Sequence, residues 1–188
     1  MSTHYFLAIR FNKCVNQQTY HIQTTIKTTI GKEVYKLWVH PLDYHVTLHF
    51  FGELEQIQDI MELVAGIELL PFSLMFSQIN GFGKTDMPRV LYLEPDMNIT
   101  LTALYHFIQL QLETRGYNVN NRVFKPHLTL AKKCQRAWCT SEIDKDITRD
   151  AGVKAYLPFL AEAKSLVLYK INPDGAPKYD VIFERFIH

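Results

Sequence analysis

A four-residue phrase occurs twice in this chain: His45-Val46-Thr47-Leu48 and, 82 residues later, His127-Leu128-Thr129-Leu130. Both copies lie in apolar stretches that read as β-strands. Residues two apart on a strand share a face, so each His points the same way as its Thr. Val46 and Leu48, like Leu128 and Leu130, point the other way. Two strands that are polar on one side and aliphatic on the other predict two matched halves facing each other across a cleft. Two imidazoles and two hydroxyls gathered there make an acid–base site with four groups able to hold a phosphate. A metal is not required by that chemistry, and none is expected.

Other residues compete for attention. His40, His45 and His49 include a pair four apart, the spacing that binds metal from a helix. On a strand the same spacing separates the pair by ~13 Å, so a metal site is not expected there. Cys134 and Cys139 lack an accompanying base and read as packing or surface thiols. Tyr5, Phe11, Phe50, Phe82 and Tyr92 can offer stacking surfaces for a base, although core packing is the plainer role for any one of them. Arg89 reads either as a surface ion-pair partner or as a cation reaching the phosphate of a nucleic-acid strand.

The elements that must position these groups alternate along the chain. Tyr5 to Phe11 is a strand by its alternation. Ile22, Ile26 and Ile30 place a helix over 15–30 despite its threonines, with Gly31 as its stop. Val46 to Phe51 is the first motif strand. A helix carrying Ile57, Ile60, Met61 and Val64 on one face then runs to Gly66. Strands over 72–80 and 89–94 pair around a turn at Gly81-Phe82-Gly83. Ile99 to Thr114 is the clearest helix, with Leu101, Leu104, Tyr105, Ile108 and Leu112 on one face. Leu128 to Lys132 is the second motif strand, and 135–152 is a polar excursion with at most a short helix. Strands over 157–171 and 179–187 flank the turn Asn172-Pro173-Asp174-Gly175.

These residues carry a resemblance. His45-Val46-Thr47-Leu48-His49-Phe50-Phe51-Gly52-Glu53 and Phe124-Lys125-Pro126-His127-Leu128-Thr129-Leu130-Ala131-Lys132 resemble the paired motifs of the two-histidine phosphoesterase superfamily. Within it the chain is most similar to the RNA 2′,3′-cyclic phosphodiesterase (2′-5′ RNA ligase-like) family. Pro88-Arg89-Val90-Leu91-Tyr92-Leu93, the opening strand, and the end from Leu166 to Phe186 fit as well. The resemblance implies an α+β fold of two pseudo-symmetric lobes, antiparallel-rich sheets facing across a central cleft with helices on the outside. It implies His45 and His127 as the catalytic pair, with His127 the base and His45 the acid. Thr47 and Thr129 become phosphate ligands, with no cofactor.

The family usually has Arg where this chain has Lys132. Lys keeps the charge and loses the two-pronged fork. Strict alternation also sets position 132 on the face opposite His127, so it reaches a phosphate only if the strand bends or bulges. Position 51, usually Leu in the family, is Phe.

Composition narrows the partner. With 188 residues, one bilobal domain over 1–188 is expected. A net charge of +1 is too low for a protein that grips long nucleic acid along its backbone. An RNA 3′ end or a small nucleotide bearing a cyclic phosphate fits better, bound by a monomer. Three cysteines and no secretory leader point to a reducing, cytoplasmic setting, and no run of apolar residues is long enough for a membrane span. Against hydrolysis of RNA 2′,3′-cyclic phosphate ends, the rival activities are 2′-5′ RNA ligation and hydrolysis of a small cyclic nucleotide or 2′-5′ oligonucleotide. A catalytically silent RNA-end binder is the rival from another class. It is disfavoured because both His-x-Thr pairs are intact.

Overall fold

The computed structural model describes residues 3–119, 122–138, 153 and 156–187. The chain runs β1 (Tyr5–Phe11), α1 (Lys13–Ile30), β2 (Tyr35–Trp38), a 3-10 turn (Pro41–Asp43), β3 (His45–Gly52), α2 (Ile57–Gly66), β4 (Ser73–Lys84), β5 (Met87–Pro95), α3 (Ile99–Thr114), β6 (Leu128–Cys134), β7 (Phe159–Ile171) and β8 (Tyr179–Phe186). This is an α+β fold with an eight-stranded antiparallel sheet.

Capping side chains explain where the long helices start. Asn12 accepts from the Val15 amide at 3.0 Å, and Asn98 from the Leu101 amide at 2.8 Å. Gly31, at φ 95°, ends α1 in a conformation that a side chain would oppose. The threonines of α1 do not break it. Thr25, Thr28 and Thr29 sit toward solvent and bond carbonyls of the preceding turn, while Val15, Ile22 and Ile26 are buried.

Strand pairing follows the path β1-β3-β6-β5-β4-β7-β8, with β2 attached to β6. Because β1 also pairs with β7, the path returns on itself. Two halves are visible within it. One is built of β3, β1, β8 and the C-terminal part of β7; the other of β2, β6, β5, β4 and the N-terminal part of β7. They meet where Val46 of β3 pairs with Leu128 of β6. The two expected sheets are thus joined into one, at the pair of motif strands and again along the continuous strand β7.

Each motif strand is bulged at the same place. Against β1, Ala8 pairs with Thr47 and Leu7 with His49, leaving Leu48 extra. Against β5, Tyr92 pairs with Thr129 and Leu91 with Ala131, leaving Leu130 extra. A bulge shifts the alternation by one. Leu48 and His49, like Leu130 and Ala131, are therefore both buried, and the next residue returns to the face of the His-Thr pair. That residue is Phe50 in β3 and Lys132 in β6.

A helix glutamine answers each bulged carbonyl. Gln23 of α1 donates to Leu130 O at 2.8 Å and Val39 O at 2.9 Å. Gln109 of α3 donates to Leu48 O at 3.4 Å. Buried carbonyls left over by a bulge need such partners.

Two expectations require correction. Gly81-Phe82-Gly83 is strand rather than turn: β4 continues to Lys84 and reverses at Thr85–Asp86. Glycines there relax the strand at a register shift beside Gly83, φ 113°, without ending it. The short β2 falls where no element was expected, while the 3-10 turn at Pro41–Asp43 supplies the rigid turn that proline predicts before the first motif strand. The excursion from residue 139 to 152 lies outside the described residues.

Candidate active site

Val46 and Leu128 face each other across the joint and point into the core, both fully buried. Their neighbours His45, Thr47, His127 and Thr129 emerge on the opposite, half-buried face. Antiparallel pairing sets the His45 end of β3 beside the Lys132 end of β6, and the Phe50 end beside His127.

Each imidazole is held by the carbonyl two residues before it. His45 Nδ1 lies 2.7 Å from Asp43 O, and His127 Nδ1 lies 2.7 Å from Lys125 O. A carbonyl only accepts, so both Nδ1 atoms carry the proton and both Nε2 atoms are left to work. His45 Nε2 is 3.1 Å from Thr47 Oγ1, whose hydroxyl donates to the neutral ring.

Aromatic walls enclose both rings. Phe6, Tyr179 and Tyr169 stand 4.8, 5.2 and 5.9 Å from the His45 centroid. Phe82 and Tyr92 stand 4.8 and 5.2 Å from that of His127. Burial pushes both imidazoles below their ordinary 6.5, because a dry wall disfavours the cation. The Lys132 ammonium pushes both further down, and His127 adds to the effect on His45. Glu94 opposes it at His127. Lys132 is itself lowered by burial, with the Asp43 carboxylate acting the other way.

An anion entering the cleft would oppose these shifts. Its negative charge stabilises imidazolium and ammonium together. Cavities open on either side. One of about 760 Å³ is lined by Thr47, Phe50, Phe82, Phe124 and His127, with Arg122 at its edge. The other, about 530 Å³, is lined by Trp38, His40, Asp43, Lys132, Lys178 and Tyr179.

Of the residues singled out, His45, Thr47, His127, Thr129 and Lys132 come together, the last by way of the bulge. Phe50, Phe82 and Tyr92 reach the cleft face, while Tyr5 and Phe11 are core. Arg89 lies on the sheet face opposite Val90 and Lys132 and is exposed. His49 is buried behind the cleft, its Nδ1 3.2 Å from Gln109 Oε1, and His40 caps the 3-10 turn. Cys134 Sγ donates to Arg136 O. Cys139 lies outside the described residues. Asp43, Gln23, Gln109 and the walls Phe6, Tyr169 and Tyr179 had not been singled out. One signal for Asp43 was present: it stands two before its histidine, as Lys125 stands two before the other.

Paired His-x-Thr strands, joined back to back and bulged alike in an antiparallel α+β frame, define a two-histidine phosphoesterase. The chain belongs to the 2′-5′ RNA ligase superfamily, whose family model matches residues 22–174. It is 35% identical over 161 residues to an RNA 2′,3′-cyclic phosphodiesterase of Bacillus subtilis, covering 80% of each chain. It is 25% identical over 184 residues to a protein of the same name from Geobacillus stearothermophilus, covering 96% of this chain and 56% of the relative. In fold it matches Escherichia coli LigT crystallised with 3′-AMP, at TM-score 0.73 and 18% identity, covering 100% of this chain and 99% of that one. No helix among the described residues is long and apolar enough to cross a membrane.

Proposed function

We propose that this protein hydrolyses RNA 2′,3′-cyclic phosphate ends to 2′-phosphates, with His45 and His127 as the acid–base pair. The observation that carries the reading is the matched clamp: two imidazoles, each fixed with Nδ1–H on a carbonyl, present two Nε2 atoms at one joint. The B. subtilis relative bears the name of this activity over most of its length.

Water attacks phosphorus as its proton passes to His127 Nε2. The P–O3′ bond breaks on the far side, and O3′ takes the proton from His45 Nε2. Thr47, Thr129 and Lys132 donate to the non-bridging oxygens as charge grows on them. Burial lowers His45, so the assignment of His45 as acid follows the family resemblance and requires the negative charge of the bound phosphate to offset that burial. Solvent exchange returns the two protons after each turnover.

Both histidines come from one chain, so the site is complete in a monomer, which we place in the cytoplasm. Pairing of β1 with β7, from opposite ends of the sequence, supports one bilobal domain over 1–188. The two flanking cavities favour a second reading, in which a 5′-hydroxyl replaces water and the ends join through a 2′-5′ linkage.

The test is a short RNA ending in a 2′,3′-cyclic phosphate, incubated with protein and chelator, with the product identified. A 2′-phosphate that disappears with His45→Ala or His127→Ala is expected. Failure of the wild-type protein to turn over would end this reading, and loss of turnover with chelator would replace it by a metal mechanism.

A further inference from the structure

Asp43 occupies an unusual junction beside His45. It is a carboxylate only 4% exposed, at the end of the 3-10 turn. Its carbonyl receives His45 Nδ1–H. Its carboxylate receives the Lys178 amide at 2.9 and 3.2 Å and the Tyr179 amide at 3.3 Å. Tyr179 stands edge-on to His45 and, at 4.9 Å, edge-on to Phe6. One residue therefore grips the imidazole through its backbone and the wall over that imidazole through its side chain. Two converging N–H groups need an acceptor at both oxygens, and an amide in that place would turn a donor toward one of them. The second histidine differs. Lys125 offers the same carbonyl from an exposed side chain.

We propose that Asp43 is a positioning residue of the reaction: by pinning the Lys178 and Tyr179 amides it keeps Tyr179 closed over His45 and keeps water away from that ring. The role rests on the phosphodiesterase reading for its consequence in turnover, but its structural claim stands on His45 alone. Other charged or titratable groups face His45 from every side: Arg10 on β1, His127 and Lys132 from β6, Tyr169 on β7 and Tyr179 on β8. Of these, Tyr179 is tied to Asp43 by a hydrogen bond from its amide, while Lys132 and Tyr169 feel the Asp43 charge, so Tyr179→Ala isolates the wall from the charge.

The experiment is Asp43→Asn, Tyr179→Ala and their combination in the full chain. His45 and His127 ring protons are titrated by NMR without substrate, and turnover is measured on a cyclic-phosphate RNA. Opening the wall lets water reach His45, so its titration rises by ~1 pH unit in either single variant while His127 stays put. Losing the Asp43 charge alone would move His45 the opposite way. In Asp43→Asn, kcat falls by ~10-fold or more with KM held within about threefold. The double variant is no worse than the worse single, because both act through one wall.

A static or falling His45 titration, or additive effects in the double variant, overturns the proposal. If Asp43→Asn folds poorly, Tyr179→Ala decides it: no rise at His45 there overturns it equally. Absent turnover by the wild-type protein, beside the expected titrations, would remove the functional reading and leave the clamp standing.

Discussion

β3 and β6 share a His-x-Thr pair, a bulge in the same place, a carbonyl clamp of the same length and a helix glutamine on the bulged carbonyl. Their surroundings diverge. His45 has three aromatic walls, one tied down by Asp43; His127 has two, next to a cavity of about 760 Å³. Where the first bulge delivers Phe50, the second delivers Lys132. The backbone device is duplicated and the walls are specialised. In the proposed reaction a symmetric frame would bring two identical groups to one phosphate, within a lining that is not symmetric.

The strongest way to break the comparison is to remove each histidine. Either alanine variant should lower kcat by ~10²–10⁴-fold. They should differ in rescue. Hydroxide can replace a missing base, so His127→Ala should recover as pH rises, whereas His45→Ala should not. Measured pH–rate profiles that rise in the opposite variant would exchange the two roles.

Lys132 and Phe50 mark where the halves part. Lys132→Ala should weaken binding of the 2′-phosphate product by about 1.5–3 kcal/mol, the range for a hydrogen bond to a charged group, and Lys132→Arg should restore most of it. Isothermal titration with product checks both. Phe50, 55% exposed, has no charge to lose, so Phe50→Ala should leave the phosphate contribution intact.

The glutamines give a smaller effect. Gln23→Leu removes the donor shared by Val39 O and Leu130 O, the latter keeping the Val39 amide at 2.9 Å, and should cost about 1–3 kcal/mol in urea unfolding. Gln109→Leu gives up a long, part-buried bond to Leu48 O at 3.4 Å and the 3.2 Å contact with His49 Nδ1, and should cost a similar amount.

The mildest effect is on pH. Both histidines are lowered in the free protein, so phosphate binding must draw a proton in. Product affinity should therefore rise as pH falls from 8 toward 6, by at most about tenfold per unit for one proton. Stability runs the other way. Unfolded imidazoles bind protons near 6.5 and the folded ones resist, so folding free energy is intact above that value and is lost as pH falls toward the lowered folded values. Urea midpoints measured from pH 8 to 5 check the sign, and the His45→Ala midpoint should fall less.

Much of this was legible in the chain. Alternation in the two motifs placed Val46 and Leu128 in the core and their neighbours on a shared face, and the periodicity of 99–114 marked α3. Legibility stopped where distant chain segments decide. The requirement that Lys132 reach the His127 face implied a bulge, yet the matching bulge at Leu48 follows only from the register against β1. Beyond its place two before His45, nothing in the sequence reveals what the Asp43 carboxylate does, because its partners, the amides of Lys178 and Tyr179, lie more than a hundred residues away. Gly81-Phe82-Gly83 misled because glycine marks both a turn and a loosened strand.

The pairing of β1 with β7 joins residues 152 to 165 positions apart. Contacts so distant are slow to form, since loop closure precedes any gain from them. β1 thus leaves a ribosome before every other strand of this sheet and is among the last to find both its neighbours. Refolding should show late amide protection at Leu7 and Ile9, coincident with the return of activity, when followed by pulsed hydrogen exchange. Competence arrives with the final third of the chain, however early the first histidine is made.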